Sequence, residues 1–182
     1  MKTLKKKETV LSVLQEIRDC LKSSLREVQV LMDGIIEPKV GYIIITDDGK
    51  LKTSELKKLI EPCWSWCDVN DLDKYFPAPS KLTKRKFKWE QESEYKGMSA
   101  VEIEKKGIEC MNIREYLIFA KIWHEKEGTH LDETGFTIFP GMRASGSVPN
   151  AFWSRGVRRA ILNGNDPASR SDGIGARVVI KS

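Results

Sequence analysis

The side chains able to do covalent or metal chemistry are few and unevenly placed. The 182 residues hold four cysteines, Cys20, Cys63, Cys67 and Cys110, and two histidines, His124 and His130. A cysteine acts as nucleophile or soft metal ligand through its thiolate. Cys63-Trp-Ser-Trp-Cys67 sets two thiols four residues apart, and zinc could in principle join them to His124 and His130. Structural zinc sites use four ligands in tighter paired spacing, and these histidines stand six apart, so an apolar Trp/Cys cluster is the expectation and no metal is expected. Asp166 and Asp172 are the only carboxylates after Gly141, too few hard oxygens for a calcium site. No phosphate loop, Gly-x-Ser-x-Gly or His-Glu-x-x-His occurs. These patterns point away from an enzyme and from any cofactor.

Charge placement is more informative than charge total. The net charge is +5 and the pI about 9.0. From Gly141 onward there are seven basic residues, Arg143, Arg155, Arg158, Arg159, Arg170, Arg177 and Lys181, against two acidic ones, so the whole surplus falls in the last 42 residues. Arginine there suits forked, planar recognition. Lys81 to Lys88 is a second basic run, interleaved with Phe87 and followed by Trp89, a pattern that can bind nucleic acid. Glu90, Glu92, Glu94, Glu102 and Glu104 follow and cancel its field, so a solvated strand or connector is expected. Nucleic-acid binding stands as an alternative, ranked lower because the tail arginines are scattered among Gly and Pro instead of lining a helix face.

A composition 40% hydrophobic and 31% charged describes a soluble globular chain with enough length for a real core. No run approaches the ~18 apolar residues of a membrane span, and no apolar segment follows the basic start at Lys2 and Lys5, so neither a membrane partner nor a secretory leader is expected. The cysteines then read as free thiols of a reducing compartment, and a cytoplasmic location is expected.

Hydrophobic spacing predicts the elements. Leu11, Leu14, Leu21, Leu25, Val28, Met32 and Ile35 step by threes and fours, interrupted at Arg18, and predict a long helix over residues 9–32. Two readings of that seam stand: a helix packed on its own chain, and a coiled coil joining copies of the chain into a homo-oligomer. Tyr42 to Thr46 followed by Asp47-Asp48-Gly49-Lys50 predicts a hairpin returning through Leu51 to Thr53. A short helix over residues 55–60 follows, and residues 61–81, with Pro62, Pro77 and Pro79, read as irregular. Asn112 with Glu115 is a capping pair that starts a helix ending near Gly128. Phe136 to Phe139, Ala151 to Trp153, Val157 to Leu162 and Ile174 to Ile180 are strand-like pieces in a loop-rich tail.

Arg158-Arg-Ala-Ile-Leu-Asn-Gly-Asn-Asp-Pro167, running through Arg170 to Ile174-Gly-Ala-Arg177-Val-Val, resembles the C-terminal segment of the formylglycine-generating-enzyme (sulfatase-modifying-factor) branch of C-type-lectin-like folds. The helix bearing Asn112, Glu115, Tyr116 and Phe119 is similar to that family's Asn-x-x-Glu-Tyr-x-x-Phe helix. Ala176 stands where the family carries an aromatic residue. The branch includes the variable proteins of diversity-generating retroelements and phage receptor-binding proteins, so the resemblance implies a phage- or virion-associated location as the alternative to a cytoplasmic one. The resemblance covers about residues 108–182 and implies an α+β chain. In that division an N-terminal long helix and small α/β region, residues 1–107, precede a loop-rich C-type-lectin-like domain, residues 108–182.

The family's oxidase chemistry, as the resemblance implies, uses a cysteine pair ahead of the Arg-rich strand; here that stretch is Pro149-Asn-Ala-Phe-Trp-Ser154 and holds no sulfur. The expectation is therefore a non-catalytic module for ligand or receptor binding. It would present Trp153, Arg155, Arg159, Asn163 and Arg170 on one exposed face to a protein or glycan. Ile174, Gly175 and Arg177 are expected inside the fold, with Arg177 bridging loop carbonyls.

Overall fold

A computed structural model describes residues 36–39, 41–65 and 69–181. The helix expected over residues 9–32, with its coiled-coil reading, lies outside them, as do Cys20 and Cys67. The described chain holds both helices and sheets, as an α+β chain does. Strands β1 (Ile36–Lys39), β2 (Tyr42–Asp47) and β4 (Thr83–Lys88) form a three-stranded sheet in the order β1-β2-β4. Strands β3 (Cys63–Ser65), β5 (Phe136–Ile138), β6 (Val148–Ser154), β7 (Arg159–Asn165) and β8 (Ile174–Gly175) form a second sheet in the order β3-β7-β6-β5-β8. Among the described residues four helices lie between strands: α1 (Thr53–Lys58), α2 (Val69–Tyr75), α3 (Ala100–Lys105) and α4 (Ile113–Glu127). Among the described residues no helix is long and apolar enough to cross a membrane.

Helix α4 is where the expected local chemistry is met most fully. Asn112 Oδ1 accepts the Glu115 N–H at 2.9 Å, and Glu115 Oε2 accepts the Asn112 N–H at 2.9 Å. Gly128 ends the helix in the left-handed region at φ 68°, where a side chain would add strain. Its buried surface is wider than one apolar stripe, taking in Arg114 and Glu115. Residues 113–119 are all buried, because the helix packs against β2, α1 and β6 at once.

The basic run Lys81 to Lys88 becomes β4, antiparallel to β2 in the register Tyr42↔Lys88 through Asp47↔Thr83. Alternation turns Ile43, Ile45 and Phe87 inward, all nearly inaccessible, and leaves Lys84 and Lys88 exposed. The hairpin expected over Tyr42 to Thr53 does not form. Asp47 and Asp48 do turn the chain, accepting the Gly49 and Lys50 N–H groups at 3.1 and 3.0 Å. The next element is α1, and β2 lies between the preceding strand β1 and β4, which begins 36 residues after Asp47.

The reason lies in a buried ion pair. Arg114 donates from Nε and Nη2 to the two Asp47 oxygens at 2.7 and 2.8 Å, from Nη2 to the Leu51 carbonyl at 2.9 Å, and from Nη1 to Thr53 Oγ1 at 2.9 Å. Residues 51–53, the expected return strand, are thereby held against α4.

Helix α2 and strand β3 replace part of the irregular stretch expected over residues 61–81. Leu72 and Phe76 are fully buried, and Asp73 accepts from both the backbone N–H and hydroxyl of Ser54 at the start of α1. Two apolar anchors and a capping carboxylate stabilise seven helical residues whose Asp and Asn content favours turns.

Residues 37–182 form one compact unit. Between 107 and 108, where the sequence suggests a division, contacts cross freely. They include the Asp47–Arg114 pair, the bridge Glu94↔Ala176 and the Arg177 bonds to the Glu90 and Gln91 carbonyls. Arg114→Ala strips Asp47 of its counter-ion while leaving the carboxylate buried. We expect a loss of about 3–5 kcal/mol in urea unfolding, with a small exposed-site control such as Lys84→Ala unchanged.

Candidate functional site

The loops of the tail are organised around one buried carboxylate. Asp132 is wholly inaccessible and sits at φ 52°. Its Oδ1 accepts the Ser93 N–H at 3.1 Å and Arg177 Nη2 at 3.1 Å; its Oδ2 accepts the Thr137 hydroxyl at 2.6 Å, and the buried Tyr116 phenol also bonds to it. Its backbone donates to the Gln91 carbonyl and accepts from the Trp153 N–H. Burial pushes the Asp132 carboxyl up, and the Arg177 guanidinium and Thr137 hydroxyl pull it back down. Tyr116 is raised well above the ordinary phenol range by its own burial.

Arg177 lies where its spacing placed it. It is buried, donating to the Glu90 carbonyl at 2.7 Å and the Gln91 carbonyl at 2.6 Å, with its guanidinium 5.2 Å from the Phe119 ring centre. Ile174 and Ala176 pack on the opposite side with Ala100, Ile103, Ile138 and Val148. Gly175 is buried too, and a Cβ there would collide with the Glu94 carbonyl and Ser93 Oγ. Close backbone approach, not an unusual φ, is what requires glycine.

Beside this node is a column of flat rings. Gly128 turns the chain back after α4, so that His130 returns over His124. The two imidazoles stack with centres 4.4 Å apart and planes 8° apart, and His130 stacks in turn on Trp153 at 3.3 Å and 9°. His124 Nδ1 is bonded to the Thr129 carbonyl, and the His130 backbone N–H donates to Glu133 Oε1. Parallel stacking does not converge the ring nitrogens on one point, and among the described residues no cluster of three or more metal-ligating side chains forms. Burial and the neighbouring His124 lower the His130 pKa, against a smaller upward pull from Glu133.

The column forms one wall of a cleft of about 400 Å³. Leu59, Ile60, Pro62 and Leu131 supply apolar surface; Lys121, Arg158 and Glu61 supply charge. Lys121 is already paired with Glu125 at 2.9 Å. The two described thiols are poor nucleophiles: burial pushes Cys63 up to about 11 and Cys110 up to about 12.

The five residues expected on one face are divided by the strand register. Trp153 pairs with Ala160, whereas Arg159 pairs with Ser154 and Asn163 with Asn150. Directly opposed residues share a face, so Trp153 lies with Ala160 and Leu162 on the α4 side, and Arg159 and Asn163 lie on the other. Arg155 is in the turn between β6 and β7, ion-paired with Glu133 at 2.5 Å, and Arg170 is paired with Glu102 of α3 at 2.6 Å. Composition identifies contact-prone residues, but facing depends on which residues pair, and that register is set by tertiary packing.

On the Arg159 side, β3 adds a residue that the sequence pattern does not single out. Trp64 opposes Ile161, which opposes Phe152, and Phe152 meets Phe136 with ring centres 5.9 Å apart. Helix α3 packs on the β5–β8 half of this face. Toward β3 the face opens: Phe152 and Ile161 are half-buried, Arg159 is exposed, and Trp64 is 45% exposed. The signal for Trp64 is its large aromatic body beside Pro62, masked by the apparent Trp/Cys cluster. No family model, curated protein or solved structure matches the chain.

Removing Arg177 both strands the Glu90 and Gln91 carbonyls and leaves Asp132 without its counter-ion. Arg177→Ala is therefore expected to cost about 3–5 kcal/mol in chemical unfolding, against less than about 0.5 for Arg159→Ala.

The His130 shift has its own signature. In the folded state its pKa lies below the ordinary 6.5, so the unfolded chain binds more protons as pH falls through that value. The stability held by neutral imidazole is present above that range and is lost on acidification through it into the folded pKa. Comparing urea midpoints at pH 8 and pH 5.5, His130→Gln should lose less stability on acidification than the unaltered chain; equal losses would remove His130 from the account.

Proposed function

We propose that this chain is a non-catalytic binding module built on a C-type-lectin-like scaffold of the formylglycine-generating-enzyme branch, recognising a protein or glycan. The single observation that carries the reading is the open half of the five-stranded sheet. There Trp64, Ile161 and Phe152 form a cross-strand apolar row, and Arg159 and Asn163 flank it. Recognition surfaces place large amphipathic and forked groups on rigid elements in this way. The support beneath is rigid, because the Asp132–Arg177 node ties the adjoining loops to β5, β6 and α4. Half-buried, high-pKa thiols suit a module without thiol chemistry.

The nucleic-acid alternative is weakened by where the tail's charge is committed. Four of its six arginines pair with carboxylates of this chain: Arg143 with Glu104, Arg155 with Glu133, Arg170 with Glu102 and Arg177 with Asp132. Little of the tail's formal surplus is left as a phosphate-tracking stripe. The seam over residues 9–32 is proposed to add valency by joining copies of the chain.

Binding to a glycan and protein array tests the reading. Trp64→Ala and Arg159→Ala should each weaken capture of a bound spot at least about tenfold, with melting temperatures within a few degrees of the unaltered chain. Capture should fall only gently between 50 and 200 mM salt. Undiminished capture by both variants would overturn the assignment of this face, and a steep salt dependence on duplex DNA would favour the nucleic-acid alternative.

A further inference from the structure

The cleft on the α4 side of the sheet is unexplained by a surface on the other side. Its volume, about 400 Å³, falls in the range of small-molecule sites. Its walls are of two kinds. Leu59, Ile60 and Pro62 make an apolar side, and the His130–Trp153 stack makes a flat one. Arg158 is an exposed residue of the lining, and among the described residues its guanidinium makes no ion pair. Arg158 is also held at φ 50° at the end of the turn between β6 and β7. A non-glycine residue in that region is strained, and glycine would occupy the position without cost. The one property arginine adds there is its side chain, and Arg158 is among the residues that line the cleft.

We propose that this cleft binds a small flat anion: an aromatic or heterocyclic body carrying a carboxylate or phosphate. The ring body would lie between the apolar wall and the edges of the stacked rings, and the anionic group would take the Arg158 fork in two parallel N–H donations. Lys121, whose charge is shared with Glu125, adds a second, weaker attraction, and Glu61 disfavours doubly acidic ligands. Because Trp153 is part of the wall, occupancy should change its fluorescence.

The test uses the full chain, with 2-naphthoate, 2-naphthamide and inorganic phosphate as probes, followed by tryptophan fluorescence and calorimetry. 2-Naphthoate should bind saturably and at least about tenfold more tightly than either the neutral amide or bare phosphate. Arg158→Gly removes the guanidinium and relieves the backbone, so the variant should keep or raise its melting temperature while losing at least about tenfold in naphthoate affinity. Equal binding of acid and amide, phosphate binding as tight as naphthoate, an Arg158→Gly variant of unchanged affinity, or no binding of any probe would each overturn the proposal. None of these outcomes bears on array capture by the Trp64 and Arg159 face, so the two fail separately.

Discussion

The Asp132–Arg177 pair is the constraint on which the tail's geometry depends. A chain with many loops and short strands has few ladder hydrogen bonds to define it, and every buried backbone group in those loops still needs a partner. Arg177 meets that need for two carbonyls of the 90–93 segment, and Asp132 meets it for the Ser93 N–H. Each would be costly alone: a buried guanidinium or carboxylate without a counter-charge loses more than any single hydrogen bond returns. Together they join the connector after β4, the core helix α4, strand β5 and the closing segment after β8. Position in the fold is thereby fixed by a charge pair where a longer sheet would fix it by register.

A second pair of the same kind does for the first sheet what this one does for the second. Arg114 in the first turn of α4 holds Asp47 at the end of β2 and the Leu51 carbonyl before α1. Arg177 lies over Phe119, further along the same helix. One helix therefore carries the contacts of both guanidiniums, and the two sheets are tied to a common element. Buried ion pairs often add little net stability over well-packed apolar groups, because desolvation offsets their attraction. Their effect here is specificity: hydrophobic packing alone is tolerant of sliding, whereas a forked guanidinium accepts one arrangement of oxygens.

The legible part of the sequence divides from the rest along the line between local and non-local causes. The cap at Asn112 and the glycine stop at Gly128 act within one turn of chain, and α4 starts and ends where they indicate. The closing segment is readable because alternation separates Ile174 and Ala176 from Arg177 within four residues. The capping box Ser99-x-x-Glu102 of α3 is equally local, and only the shortness and charge of the stretch hide it. The expected hairpin at Asp47-Asp48-Gly49 fails for a non-local reason: its aspartate belongs to an arginine 67 residues away. The same holds for Trp153 and Arg159. Their types announce contact potential, but the strand pairing that turns them to opposite sides cannot be read from either residue.

The arginines show how far net charge can mislead about surface. A tail holding the whole formal surplus reads as a basic patch, yet most of its guanidiniums are matched one by one by carboxylates drawn from other segments. Arg177 and Arg155 pair with the loop ahead of β5, and Arg143 and Arg170 with α3. Four carboxylates of the first part of the chain, Glu102, Glu104, Asp132 and Glu133, are thus drawn to the last part. Charge separated along the sequence is brought together in the fold, so the net +5 is unchanged but no longer sits on the tail. Arg158 and Arg159 are adjacent in the chain and both solvent-accessible, yet they serve different surfaces: one lines the cleft, the other flanks the open face of the sheet. Two neighbouring arginines can do this because a turn ending in the left-handed region sends successive side chains in different directions, and that is the physical sense in which the strain at Arg158 separates two surfaces on one hairpin.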